Sequence, residues 1–167
     1  MKMTEELEEK FNEQIALEFE ASQVYRQLAI EMEIRDLPGI AGWLRHQADE
    51  EIVHANKWID HLADRDNHPT IGAIAAPKVD VNSVQDVFTA ALEHEQRVSE
   101  SIRNLYRAAD DDIDSKPLVQ WFVGEQIEEE ATISEILGRV KMVNGDGAGL
   151  LRLDAELAGR PTRTTEG

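Results

Sequence analysis

The strongest constraint on the fold is where the chain can break. Proline and its neighbouring glycines fall at Pro38-Gly39, across residues 69–77, at Pro117 and from Gly145 onward. Between these points run long proline-free segments whose apolar residues recur at helical spacing. Apart from residues 77–81, too few to matter, nothing has the alternating pattern of a strand. Four long helices are predicted, over residues 4–35, 38–66, 83–110 and 115–144, with a short fifth over 148–157. Local signals mark several ends. Asp36 is expected to cap the second helix, with Pro38 tolerated in its first turn. Ser83 followed by Asp86 makes a capping-box-like start for the third. Ser115 before Pro117 does the same for the fourth, and Gly145 is its natural C′ residue.

Link lengths then set direction. The first and second helices, and the third and fourth, are joined by a few residues each, so each pair must be antiparallel. The link over 67–82 is long enough, at ~3.3 Å per residue, to span ~50 Å, comparable to a helix of about thirty residues. It can return along the bundle and leave the second and third helices parallel. The fold class expected is all-α: a four-helix bundle with one long crossover and a short fifth helix. At 167 residues this is one domain, over 1–158, with a loose tail over 159–167.

Charge and composition remove several functions. There are 34 acidic and 17 basic residues, giving a net charge of −17, which would repel a nucleic-acid backbone rather than neutralise it. Cysteine is absent, excluding thiolate zinc, iron–sulfur clusters, a thiol nucleophile and disulfides. No signal-peptide pattern opens the chain, and the longest nearly apolar stretch, 71–77, is far short of the ~20 residues of a membrane span. A soluble cytoplasmic protein with neither nucleic-acid nor membrane partners is expected.

Reading each helix at steps of four and three gives its buried seam. The first carries Phe11, Ile15, Glu18, Ser22, Tyr25, Ala29 and Met32. The second carries Ile40, Leu44, Gln47, Glu51, His54 and Trp58. The third carries Val84, Phe88, Ala91, Glu95, Val98, Ile102, Leu105 and Ala109. The fourth carries Leu118, Phe122, Gln126, Glu129, Ile133, Ile136, Val140 and Val143. One glutamate interrupts each apolar stripe near its middle. Glu18 and Glu51 are 33 residues apart and Glu95 and Glu129 are 34 apart, so the two hairpins bring their acids to the same level.

A single seam glutamate is ordinarily a carboxylate that reaches out to water. Four at one depth are different, because burying them together costs several kcal/mol each unless they are neutralised. No seam contains a lysine or arginine. Two readings remain: carboxyls that share protons at raised pKa, or a pair of divalent metal ions. Carboxylates with one imidazole suit iron, manganese or zinc, and there is no soft ligand for copper. Glu51 and His54 form a Glu-x-x-His pair that sets an oxygen and a nitrogen on one helix face.

The stretches Asn12-Glu13-Gln14, Glu18, Tyr25, Asp49-Glu50-Glu51-Ile52-Val53-His54, His94-Glu95-Gln96 and the run from Trp121 to Glu130 closely resemble bacterial non-haem ferritins, over about 5–157. The resemblance implies a di-iron ferroxidase centre. One iron would lie on Glu18, Glu51 and His54 and a second on Glu51, Glu95 and Glu129, with Glu51 bridging. Gln126 falls where that family has a glutamine near the second iron, and Tyr25 where it has a tyrosine beside the centre. A third iron position would use Glu50, Glu125, Glu128 and Glu129, although glutamates outside a seam ordinarily just solvate a helix face. The same resemblance implies dioxygen or hydrogen peroxide as oxidant, a hollow shell of 24 subunits with the fifth helix at its four-fold axes, and a ferric oxide core.

Departures from neighbouring families sharpen this reading. Thr132 stands where bacterioferritins carry a second Glu-x-x-His histidine, and Ile52 where their haem-binding methionine lies, so no haem is expected. Rubrerythrins add a four-cysteine domain that this chain lacks. His46, His61, His68 and His94 are expected at the surface or its boundary, and Trp43, Trp58 and Trp121 in packing between helices or subunits. Two other readings use the same seams: a di-metal redox enzyme that builds no shell, and a structural bundle of protonated glutamates.

Overall fold

The expected helices form between the breakers, and a computed structural model describes residues 1–159 of the chain. They are α1 (Glu5–Glu33), α2 (Pro38–Asp64), α3 (Val84–Ala108), α4 (Lys116–Met142) and α5 (Gly147–Ala158), with a 3-10 turn at Ile113–Ser115 ahead of α4. No strand occurs among the described residues. Residues 160–167, most of the expected tail, lie outside them. α1 packs on α2, α3 on α4, α1 on α3, and α5 against α2.

The helix ends follow local chemistry, with three corrections. Ser83 accepts a hydrogen bond from Asp86 N at 3.1 Å, as its position predicts. Asp36 does not cap α2. Its φ of 58° is left-handed, whereas an N-cap needs extended backbone; it ends α1 instead, where Leu37 N bonds back to Met32 O at 3.0 Å. The cap of α2 comes from 114 residues away: Asp154 of α5 accepts Ile40 N at 2.8 Å. A Cβ on Gly39 would lie 2.0 Å from Asp154 O, so only glycine lets α5 come this close. Ser115 makes no side-chain cap on α4, because its hydroxyl is held by Asp112, Arg65 and His61. Gly145, with φ of 76°, lies two residues past the C-cap Val143 rather than one.

The crossover, residues 65–83, runs the length of the bundle. At its start Asn67 and His68 bond to Glu8, and Thr70 N bonds to Asn12 Oδ1 at 2.8 Å. At its finish Val81 O accepts from Arg35 Nη2 at 3.0 Å, beyond the other end of α1. Arg65 closes the opposite end of the bundle, paired with Asp112 at 2.7 Å and bonded to Met1 O.

Every predicted seam residue of α1, α2 and α3, and Ala109 just past α3, is buried. In α4, Leu118, Glu129 and Val143 are only partly covered, while Val119 and Leu137, outside the predicted seam, are buried. The apolar core falls into two clusters. One surrounds Phe11, Ile15, Trp58, Val98 and Phe122; the other surrounds Tyr25, Leu44, Phe88 and Ile133. The seam glutamates occupy the level between them.

Candidate metal centre

Position on the helices makes the first part of the site. Glu51 and His54 lie three residues apart on α2 and point the same way; His54 Nδ1 is 3.2 Å from Glu51 Oε2 and 3.9 Å from Glu18 Oε2 on α1. Glu18, Glu51 and His54 each offer one ligand atom, and these atoms lie within 4.8 Å of one another. All three residues are buried. Glu18 Oε2 and His54 Nε2 have no hydrogen-bond partner, and an orphaned buried polar atom costs about 1–3 kcal/mol, more when charged. Two acidic oxygens and an imidazole nitrogen converge here with no Lys or Arg in the set, a donor set suited to a divalent cation.

The other seam glutamates join through hydrogen bonds and repulsion. The Glu51 carboxyl is within hydrogen-bonding reach of both Glu18 and Glu95. Glu95 Oε1 accepts the Tyr25 hydroxyl at 2.6 Å, and its Oε2 accepts Gln126 Nε2 at 3.0 Å. Glu129 Oε2 accepts Gln47 Nε2 at 2.8 Å. Glu95 and Glu129 are not in the compact set of three.

The crowding shows in protonation. Burial pushes the Glu51 carboxyl well up, and the charges of Glu95 and Glu18 add to it. Glu95 is raised by burial as well, against the opposing hydrogen bonds of Tyr25 and Gln126. Glu129 is pushed up to about 7, chiefly by burial and then by Glu95. Burial, then the same carboxylates, raises the Tyr25 phenol well above its ordinary value. The first of the two neutralising routes is visible here, since burial favours protons on these carboxyls; a divalent cation taking their place would displace those protons.

The candidates for a third position are scattered in exposure. Glu50 is buried, with Oε1 3.3 Å from His46 Nε2; Glu125 is half-buried and Glu128 exposed. Glu125 adds negative charge beside Glu129. Among the described residues, no second set of three ligand atoms converges as closely as the first. His94 departs from expectation: it is buried, with Nδ1 2.9 Å from Arg97 Nη2.

Three contributors went unrecognised in the sequence. Gln14, one turn before Glu18, donates to Glu18 Oε1 at 3.0 Å. Trp58, one turn after His54, donates its indole N–H to the same oxygen at 3.1 Å. Gln47 lies in the predicted seam of α2, but its bond to Glu129 is not visible in the pattern. The spacing of four was the available signal for the first two.

The ferritin-like domain family matches residues 8–143. The bacterial non-heme ferritin of Escherichia coli O157:H7 is 33% identical over 155 residues, covering 92% of this chain and 94% of that one. That of Staphylococcus saprophyticus is 32% identical over 160 residues, covering 95% and 96%. In structure, a ferritin of Archaeoglobus fulgidus engineered to a closed form superposes with a TM-score of 0.94 at 31% identity, over 98% of this chain and 100% of that one.

Proposed function

The chain belongs to the ferritin family, and on that premise we propose that it stores iron by oxidising Fe(II) at the seam glutamates. The buried convergence of Glu18, Glu51 and His54, with two atoms left unpartnered, carries this reading. These residues take one substrate Fe(II), and Glu51, Glu95 and Glu129 take a second, with Glu51 shared. Each pair of Fe(II) ions surrenders two electrons, reducing dioxygen to hydrogen peroxide, or peroxide to water. The anionic oxygens favour the higher charge of Fe(III), which drives the transfer.

The chain's own groups manage the protons. Fe(II) entering the cluster displaces protons from carboxyls whose pKa burial raises, Glu51, Glu95 and above all Glu129, pushed up to about 7. Tyr25 and Gln126 hold Glu95 in place, and Gln47 holds Glu129. Ferric product then passes to a mineral core inside a 24-subunit shell, with Glu50, Glu125, Glu128 and Glu129 offering a third stopping point on the way. The setting is cytoplasmic, with no haem and no nucleic-acid partner; no described helix is long and apolar enough to cross a membrane.

The test is anaerobic Fe(II) loading followed by oxygen. About two irons per chain should oxidise rapidly before slower mineral growth, in a particle of about 450 kDa. Glu18→Ala and His54→Ala should each remove the rapid phase and leave particle mass unchanged. Rapid oxidation persisting in both would overturn the site, and a dimer with no mineral would point instead to a di-metal redox enzyme.

A further inference from the structure

Glu18 is not held as Glu95 is. Both N–H donors that reach it converge on one oxygen, Oε1: Gln14 Nε2 at 3.0 Å from the preceding turn of α1, and Trp58 Nε1 at 3.1 Å from α2. The second oxygen, Oε2, meets no donor and faces His54 Nδ1 at 3.9 Å. Glu95, by contrast, has one donor on each oxygen.

The two donors are themselves fixed. Ser101 of α3 donates to Gln14 Oε1 at 2.6 Å, which settles the amide orientation and turns its NH₂ toward Glu18. Trp58 is fully buried and stacks on Phe122 with ring centroids 4.1 Å apart and planes 13° apart. Its indole cannot swing away without breaking that stack. All four long helices thus cooperate to occupy one oxygen and leave the other bare.

We propose that Gln14 and Trp58 form a clamp that restricts Glu18 to ligation through Oε2 alone, making Trp58 a positioning residue of the iron site. The inference rests on the proposed function and deepens it. A carboxylate free on both oxygens can bind a cation through either or through both; the clamp removes two of those three modes before metal arrives. Residues that orient a metal ligand from behind commonly change affinity by about 10–100-fold when removed. Trp58 therefore does more than the inter-helix packing its sequence position suggests.

The test uses Co(II), a spectroscopic stand-in that undergoes no oxidation here, titrated anaerobically into the assembled protein. Trp58→Phe keeps an aromatic ring against Phe122 but removes the N–H donor together with one ring of the indole; Gln14→Leu deletes the other donor without changing either ring of the stack. Each should weaken the first Co(II) site on the order of tenfold and alter its visible absorption, as Glu18 gains a second coordinating oxygen. Leu62→Ala, which opens a cavity in the same apolar cluster without touching Glu18, should lower the melting temperature and leave the spectrum unchanged. Unchanged affinity and spectrum in both donor variants would overturn the clamp, as would the same spectral change in Leu62→Ala. Glu18→Ala separates the two levels: if it leaves the Co(II) spectrum intact, the site reading itself fails.

Discussion

Replacing Glu129 by glutamine isolates the cost of keeping these carboxyls together without metal. The Glu129 carboxyl is pushed up to about 7 from an ordinary 4.5, by burial first and Glu95 second. A carboxyl whose folded-state pKa is raised binds its proton more tightly in the folded chain. It therefore favours folding below the unfolded value, and that contribution disappears as pH rises through the folded one. The window runs from about 4.5 to about 7, and at 1.36 kcal/mol per unit the swing is about 3 kcal/mol. Because Glu51, Glu95 and Glu129 repel one another, their protons leave in shared steps, and removing one charge also eases the other two. Glutamine cannot ionise, yet it keeps an oxygen to accept Gln47. With chelator present, Glu129→Gln and the parent protein should melt together near pH 4. By pH 8 the variant should be more stable by on the order of 3 kcal/mol, about 6–12 °C in calorimetry for a chain of this size. Divalent metal at a hundred times its dissociation constant should return about 2.7 kcal/mol to the parent and less to the variant. A stability gap that ignores pH, or that closes as pH rises, would refute the electrostatic account.

Metal binding at pH 6 should release protons, because Glu51, Glu95 and Glu129 are all raised; titration calorimetry in buffers of different ionisation enthalpy would read the number, and zero release would contradict the shared-proton cluster. Asp154→Ala should cost about 1 kcal/mol, the worth of a lost cap, while Gly39→Ala should cost more, because its Cβ would meet backbone that cannot yield; equal melting temperatures for Gly39→Ala and the parent would show that α5 moves aside freely. Arg65→Ala leaves the partly exposed Asp112 without its guanidinium, while Ser115 keeps Asp112 and His61, and should cost about 1–3 kcal/mol. Arg65→Lys should recover little, since one ammonium cannot replace a fork reaching both Asp112 oxygens, Ser115 and Met1.

The sequence made the bundle legible because its seam period can be followed from Phe11 to Met32 and from Ile40 to Trp58, and because four glutamates interrupt the apolar stripes at one depth. It was less informative in α4, where Val119 and Leu137 displaced Leu118 and Val143 from the best-covered positions. There the seam is rotated, and Glu129 remains partly exposed. The hydrogen-bond partners of the seam glutamates are harder still to see. Whether Trp58 merely packs or donates to Glu18, and whether Gln47 faces Glu129, depends on side-chain rotamers and on how α1 and α2 are turned about their axes. His94 illustrates the same limit: adjacent to Glu95, it is expected at the surface or its boundary, but the packing of α3 encloses it. Asp154 as the cap of α2 depends on a contact between residues 114 apart, which no local pattern announces. Asp36 looked like the cap because an aspartate before Pro38 fits that role, until its left-handed backbone is needed to end α1.

The crossover fixes the level at which the glutamates of one hairpin meet those of the other. Fastened to Glu8 and Asn12 near one end of α1 and to Arg35 beyond the other, it works as a ruler between the hairpins. A slip of one helical turn, about 5.4 Å, would carry Glu95 away from Glu51 while leaving every apolar stripe facing another apolar stripe. Grease alone tolerates that misalignment; a strap of set length does not.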